Sequence, residues 1–374
     1  MKGNIPKYTL IKDEIREWIT SGHFKPDQQL PTEHQLAEQL SVSRQTIRHA
    51  VTELVREGLV YRVQGSGTFV SLVDDANHMM GEGNKLIGVI TTYISDYIFP
   101  SIIRGIESVL SQHGYSILLF STGNRFSEEK RALSKMLELQ VEGVIVEPTC
   151  SALPNPNLGN YFTLLSRNVP VVTLNSTYSE LPVPSLRLDD SISGGLAANH
   201  LIELGHCRIG GVFKSDDKQG LYRLRGFLKT LIKNRIAPSA SLLYMYQTAE
   251  KQSVAQTYAD MIATMPTSSR PTAIVCYNDE IANSLIRHLK KYNILTPRDV
   301  SIVGFDNMQP ASEATDWGSL TTINHPKFSM GEKAAEFIID ILKSLRSGGS
   351  IIDIPDFVFK SDLLPGESTS SLQL

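Results

Sequence analysis

Apolar residues at Ile47, Ala50, Val51, Leu54 and Val55 follow the i, i+3, i+4, i+7, i+8 spacing of one helix face. Ser43 stands where an N-cap belongs, and Gly58 stands where a C′ residue ends the helix. The opposite face carries Arg44, Gln45, Arg48, His49 and Thr52. After Gly58 the period changes to that of a strand over Leu59 to Val63, Gln64-Gly65-Ser66-Gly67 turns, and Thr68-Phe69-Val70 returns. Upstream, Thr32 and Gln35 form a capping box over a short helix whose apolar side is Leu36, Ala37 and Leu40. Ser41-Val42 is the tight turn between the two helices. Ile11, Ile15, Trp18 and Ile19 give a first amphipathic helix ended by Ser21-Gly22. This order predicts a winged helix-turn-helix over residues 1–72.

Ser71 to Asn84 is polar, Gly-bearing and aperiodic, which predicts a linker over 73–84. From Lys85 to the end, short apolar runs alternate with amphipathic helices. The predicted strands are Leu86–Thr92, Ser116–Ser121, Gly143–Glu147, Val171–Asn175, Ile209–Phe213, Leu242–Tyr246, Ala273–Tyr277 and Ser301–Phe305. Helices fall near 101–113, 128–139, 158–167, 192–204, 221–235, 251–264 and 280–292. Such alternation means parallel sheets covered on both faces, an α/β body over 85–374 built as two doubly wound lobes. Leu186-Arg187-Leu188 and Leu320–Asn324 are the predicted crossings between lobes. The helix Met330–Leu342 and the segment Asp356–Leu364 then return once to each lobe.

Composition narrows the function. Net charge is −3, so any nucleic-acid binding is local. The first 73 residues hold nine Lys/Arg and eight Asp/Glu, a net charge of about +1, which suits a groove reader that dimerises rather than a polycation. Cys150, Cys207 and Cys276 have no CxxC spacing and read as three buried thiols in a reducing cytosol. No apolar signal core or membrane-length run is present, so a soluble cytoplasmic protein with no membrane partner is expected. His78-Met79-Met80 reads as linker, and His200 and His206 as capping or surface residues, so no metal or other cofactor is expected. Gly194-Gly195 and Gly210-Gly211 lack the GxGxxG context of a dinucleotide site. With no catalytic constellation in view, an enzyme is not expected.

Two places carry chemistry. A helix fits the major groove, where guanidinium or amide groups such as Arg48, Arg44 and Gln45 pair with base edges or phosphate, and wing glycines let backbone approach the sugar-phosphate wall. In open α/β sheets, ligands bind at the carboxyl ends of strands. That rule selects Glu147, Asn175, Asn278 and Asp306, whose amides and carboxylates suit vicinal hydroxyls of a neutral sugar. Tyr93, Phe99 and Trp317 are candidates for its apolar face. Asp279 and Asn307 read as cap or turn formers.

LPTEHQLAEQLSVSRQTIRHAVTELVREGLVYRVQGSGTFV resembles the DNA-binding domain of the GntR family of bacterial transcription regulators. KLIGVITT, QVEGVIVEP, VPVVTLN, AANHLIELGHCRIGGV, TAIVCYNDEIANSLIRHLKK, RDVSIVGFDN and LTTIN resemble the effector domain of the LacI family, whose fold is similar to periplasmic sugar-binding proteins. A GntR-type head on a LacI-type body is the combination of the arabinose-utilisation repressors. The resemblance implies a homodimer on pseudo-palindromic operator DNA, released by a sugar effector, L-arabinose. It implies DNA contacts from Lys7, Arg44, Gln45, Thr46, Arg48, Gln64 and Gly65. It places Arg223, Asn278 and Asp306 at the effector pocket, with Glu147 and Asn175 matching less closely and His325 more weakly. The residues themselves leave the sign of control open, since a corepressor would promote binding. A transport component would carry a signal peptide and no DNA head, and a sugar enzyme would need a phosphate cradle or a base–nucleophile pair.

Overall fold

The head folds as its apolar spacing dictates. Helices α1 (Lys7–Thr20), α2 (Glu33–Gln39) and α3 (Arg44–Arg56) are followed by the antiparallel hairpin β1 (Val60–Val63) and β2 (Gly67–Val70). The computed structural model describes residues 7–25, 28–56, 59–63, 67–70, 84–95, 98–308, 318–348 and 355–372. Gly58, Gln64, Gly65, Trp317, the His78-Met79-Met80 triplet and the 73–84 linker apart from Asn84 lie outside the described residues. The Thr32 hydroxyl accepts the Gln35 N–H, and the Gln35 side chain accepts the Thr32 N–H, completing the capping box. Ser41, at φ 52°, makes the turn into α3, where the Ser43 hydroxyl accepts the Thr46 N–H at 3.2 Å. Ile15, Ile47, Ala50 and Leu54 form the fully buried centre between the helices. Lys7 is the first residue of α1.

The chain divides into two units, Met1–Asn84 and Lys85–Leu374. In the second, lobe 1 contains β3 (Leu86–Thr91), α4 (Phe99–Gln112), β4 (Ser116–Ser121), α5 (Phe126–Glu138), β5 (Gly143–Val146), α6 (Leu158–Ser166), β6 (Val171–Leu174) and β7 (Ser185–Leu188). Lobe 2 contains α7 (Asp190–Glu203), β8 (Ile209–Lys214), α8 (Lys218–Lys233), β9 (Leu243–Tyr246), α9 (Val254–Thr264), β10 (Ala273–Cys276), α10 (Asp279–Lys291), β11 (Ser301–Phe305) and β12 (Thr321–Ile323). Then α11 (Lys327–Arg346) and β13 (Phe357–Phe359) return to lobe 1, and β14 (Leu363–Leu364) ends in lobe 2. The six-stranded sheets run β13-β7-β6-β5-β3-β4 and β14-β12-β11-β10-β8-β9, parallel except for β14. Central strands such as Gly143–Val146 and Ala273–Cys276 are buried along their whole length, because helices cover both faces.

Three details differ from the sequence expectation. The chain crosses between lobes three times, after β7, after β12 and after β13, because Asp356–Leu364 splits into one short strand for each sheet. His206 is buried rather than on the surface, and lies against Thr272, Ser301 and the Ser370 carbonyl, which satisfy its ring nitrogens. Of the three thiols Cys276 is buried, Cys150 is half-buried and Cys207 is exposed. Gly194 has a packing role: a Cβ there would meet the Arg223 carbonyl oxygen at 2.0 Å, so the glycine lets α7 and α8 touch backbone to backbone. Among the described residues no helix is long and apolar enough to cross a membrane.

Candidate functional site: a winged reading head and an interlobe cavity

On the head, Arg44, Gln45 and Arg48 project from the first turns of α3 and are exposed, with Thr46 half-buried. Lys7 is exposed at the start of α1, and the next residue, Tyr8, stacks on His49 of α3 at 4.1 Å between ring centroids. Glu33, the first residue of α2, accepts from the Arg48 Nε at 3.0 Å and from Arg62 of β1 at 3.5 Å. An exposed pair of this kind adds little stability. In this structure the pair lays the Arg48 side chain toward α2 and β1.

In the body, both sheets change strand order beside their first strand. β3 lies between β4 and β5, and β8 lies between β9 and β10. A crevice opens at the carboxyl ends of such strands. The two crevices face each other and enclose a cavity of about 730 Å³, open solvent included. Thr92, Tyr93, Phe99, Asn124 and Glu147 line it from lobe 1, and Lys214, Asp217, Tyr246, Tyr277, Asn278 and Asp306 from lobe 2. Of the sequence-predicted residues, Tyr93, Glu147, Asn278 and Asp306 therefore share one cavity, with Phe99 beside them.

The acids are unlike surface carboxylates. Glu147 accepts from the Thr92 hydroxyl, from the Thr92 N–H at 2.9 Å and from the Asn175 amide at 2.9 Å. Burial pushes its carboxyl above the usual range, and these donors oppose the shift. Burial likewise pushes Asp306 up to about 7, with the Lys327 ammonium opposing. Burial alone would lower Lys214, but Asp217 at 3.0 Å and Asp216 at 3.4 Å outweigh it and keep the ammonium charged. Asn278 has two tasks: its Oδ1 caps α10 by accepting the Ile281 N–H at 2.9 Å, and its side chain also lines the cavity.

Other predicted residues stand behind the wall. Arg223 is 1% exposed and donates to Asp190 at 2.9 Å, the Tyr277 carbonyl at 2.7 Å and Asp306 at 3.3 Å. Its guanidinium lies 5.1 Å from the Tyr277 ring centroid and 4.4 Å from that of Phe305, and through its bonds to Tyr277 and Asp306 it positions two lining residues. His325 is fully buried 3.7 Å from Asp306, and burial together with Arg223 and Lys327 lowers it to about 3. Asn175 faces Glu147 and borders an adjacent groove with Ser176 and Arg187. Asp279, expected as a simple cap, instead accepts the Met308 N–H and the Thr322 hydroxyl, both at 2.7 Å, and braces the turn after β11. Asn307 is a turn former, at φ 47°.

Sequence reasoning missed Lys214, Asp217, Tyr246 and Tyr277, although the strand-end rule applies to them equally. Contacts across the cleft were also missed. Asn124 of lobe 1 donates to Thr248 of lobe 2 at 2.6 Å. Lys218 of lobe 2 donates its ammonium to the Thr177 carbonyl at 2.9 Å and the Ser179 hydroxyl at 2.7 Å, and its backbone N–H to Ser151 at 2.9 Å. Lys218→Met removes two of these bonds at the rim. If closure is linked to sugar binding, calorimetry should show affinity falling roughly two- to tenfold, from about 0.5–1.5 kcal/mol. Unchanged affinity would mean that the rim bonds do not contribute to closure.

A family model described as bacterial regulatory proteins, gntR family, matches residues 7–70, and a periplasmic binding protein-like domain matches residues 198–368. The chain is 43% identical over 368 residues to the arabinose metabolism transcriptional repressor of Geobacillus stearothermophilus, covering 98% of this chain and 99% of that one. It is 41% identical over 367 residues to the protein of the same name from Halalkalibacterium halodurans, covering 97% and 96%. In fold it is similar to a LacI family transcriptional regulator from Enterococcus faecium solved with bound ribose, at TM-score 0.62 and 24% identity, covering 77% of this chain and 100% of that one. The two full-length likenesses, together with a gntR-type head, place the chain in the family of arabinose metabolism transcriptional repressors, as a regulator and not an enzyme.

Proposed function

We propose that this repressor binds a pseudo-palindromic operator as a cytoplasmic homodimer and leaves it when L-arabinose closes the interlobe cavity. The observation that carries the reading is the convergence of Glu147, Asn278 and Asp306 on one cavity from strand ends of both lobes. A ligand touching all three spans the cleft, so it binds the closed arrangement more tightly than the open one. Such differential affinity is what shifts an equilibrium. The chemistry favours a neutral polyol. The carboxylates accept hydroxyl protons, the Asn278 amide donates, Tyr93 and Phe99 offer apolar surface, and the Lys214 charge is already balanced by Asp216 and Asp217. The names of the full-length relatives point to arabinose among such sugars.

In this reading residues 1–72 are the reading head, 73–84 the linker and 85–374 the effector-binding and dimerisation body. Arg48 and Gln45 read base edges, Arg44 and Lys7 hold phosphate, and Thr46, Gln64 and Gly65 add contacts from the helix and wing. A head of net charge near +1 binds weakly alone, which favours two heads on a two-fold operator. The test is a thermal-shift screen of pentoses and hexoses with operator mobility shifts alongside, and light scattering for the dimer. Stabilisation by L-arabinose with loss of the operator complex is expected; no shift with L-arabinose, or a monomer, would refute the corresponding part.

A further inference from the structure

We propose that Lys327 ties the Asp306 turn of lobe 2 to helix α11 of lobe 1 and thereby couples cavity occupancy to lobe arrangement, an inference that rests on the effector reading above. Lys327 is the first residue of α11, where a cation opposes the helix dipole. Its side chain points to a compensating partner. The ammonium donates to the Asp306 carbonyl at 2.6 Å and to the Asn307 carbonyl at 2.8 Å. These two consecutive residues have φ of 90° and 47°, a left-handed backbone that Asp and Asn adopt more readily than other non-glycine residues.

Bonds within lobe 2 also hold this turn. Asp306 N–H donates to the Ile323 carbonyl at 2.7 Å, Asn307 N–H to the Thr322 hydroxyl at 3.2 Å and Met308 N–H to Asp279 at 2.7 Å. Lys327 instead leads into lobe 1. A Cβ on Gly331 of α11 would meet the Ile102 carbonyl oxygen of α4 at 2.1 Å, and one on Gly105 of α4 would meet the Phe328 carbonyl oxygen at 2.1 Å. The two helices therefore touch backbone to backbone and move as one body. Ile98, at the N-cap of α4, and Phe99, its first residue, line the same cavity as Asp306. A closed mechanical loop results: cavity, Asp306, Lys327, α11, α4, cavity. A sugar that pulls on the Asp306 carboxylate also moves the carbonyls held by Lys327. Burial lowers the half-buried Lys327 ammonium below the usual lysine range, and the Asp306 and Asp279 carboxylates oppose that shift without cancelling it.

The test uses the full chain with Lys327→Met, which keeps the stem and removes the donor, and Lys327→Arg, which keeps a cation. Hydrogen exchange in the absence of sugar should show the amides of Asp306, Asn307 and Met308 losing protection in the Met variant and keeping it in the Arg variant. L-arabinose affinity by calorimetry should fall roughly tenfold in the Met variant. The ratio of operator affinity without sugar to that at saturating sugar should fall toward one, while sugar-free operator affinity stays within about twofold of wild type. A purely structural role would lower thermal stability yet leave that ratio intact at saturation. Wild-type exchange rates, or a wild-type ratio at saturating sugar, in Lys327→Met would overturn the proposal. D-xylose and D-ribose are run in parallel on wild type. A wild type that ignores all three sugars defeats the effector reading, and the sugar-free exchange rates still decide whether Lys327 holds the turn.

Discussion

Asp306→Ala is expected to bind L-arabinose roughly ten- to a hundredfold more weakly than wild type while holding operator as tightly in sugar-free solution. The estimate is the loss of one charged hydrogen-bond partner in a buried cavity, about 1.5–3 kcal/mol, at about 1.4 kcal/mol per decade of affinity. The fold tolerates the loss because Arg223 keeps its bonds to Asp190 and the Tyr277 carbonyl. Alanine is less at ease than aspartate at φ 90°, so Asp306→Asn is the gentler companion variant. In cells either variant is expected to behave as a repressor that no longer responds to the sugar. Wild-type calorimetry in Asp306→Ala and in Asn278→Ala would remove this cavity from the account.

The same carboxylate makes binding depend on pH. Burial raises Asp306 from 3.8 to about 7, so the empty cavity favours the protonated acid below neutrality. A sugar hydroxyl donating to the carboxylate favours the ionised form, so binding expels a proton and tightens as pH rises through about 7. Asp279 carries a similar upward shift, to about 7, but its two oxygens are already taken by Met308 and Thr322. Asp306→Asn should therefore flatten the dependence between about pH 6 and 8. A slope that survives in Asp306→Asn assigns it to another group.

The second large effect is on DNA. On the proposed reading, Arg48→Ala should lose about 1–3 kcal/mol on operator and relax preference at one base position, as a guanidinium that pairs with a guanine edge would. Arg44→Ala, at the first turn of α3, weakens all sequences alike and reduces the salt slope by about one. Competition titrations on single-base operator variants, repeated across a salt series, separate the two. Unchanged operator affinity in Arg48→Ala would contradict its assignment to base reading.

Much of this was legible in the residues because periodicity reports burial, and burial decides which elements form. The α3 face, the Thr32–Gln35 box and the buried parallel strands follow from apolar spacing alone. The strand-end rule found Glu147, Asn278 and Asp306, since the end of a strand is visible as the point where an apolar run stops. It could equally have flagged Lys214, which ends Ile209–Lys214, and Asp217 beyond it. Arg223 was harder. Helical position gives direction but not depth, and only packing shows its guanidinium behind Tyr277 and Asp306 rather than in the cavity. The clasp of Lys218 and Asn124 was out of reach, because it depends on how two lobes face each other. So did the third crossing, since two- and three-residue strands such as β14 and β13 are too short to show a period.

The central claim is that sugar in the cavity releases the head from DNA. Its most direct test is an equilibrium titration of full-length wild type on labelled operator, by fluorescence anisotropy, without and with saturating L-arabinose. The account predicts an operator affinity at least roughly tenfold weaker with the sugar, a coupling of about 1.4 kcal/mol or more. An affinity that is unchanged, or tighter, with L-arabinose bound would contradict it.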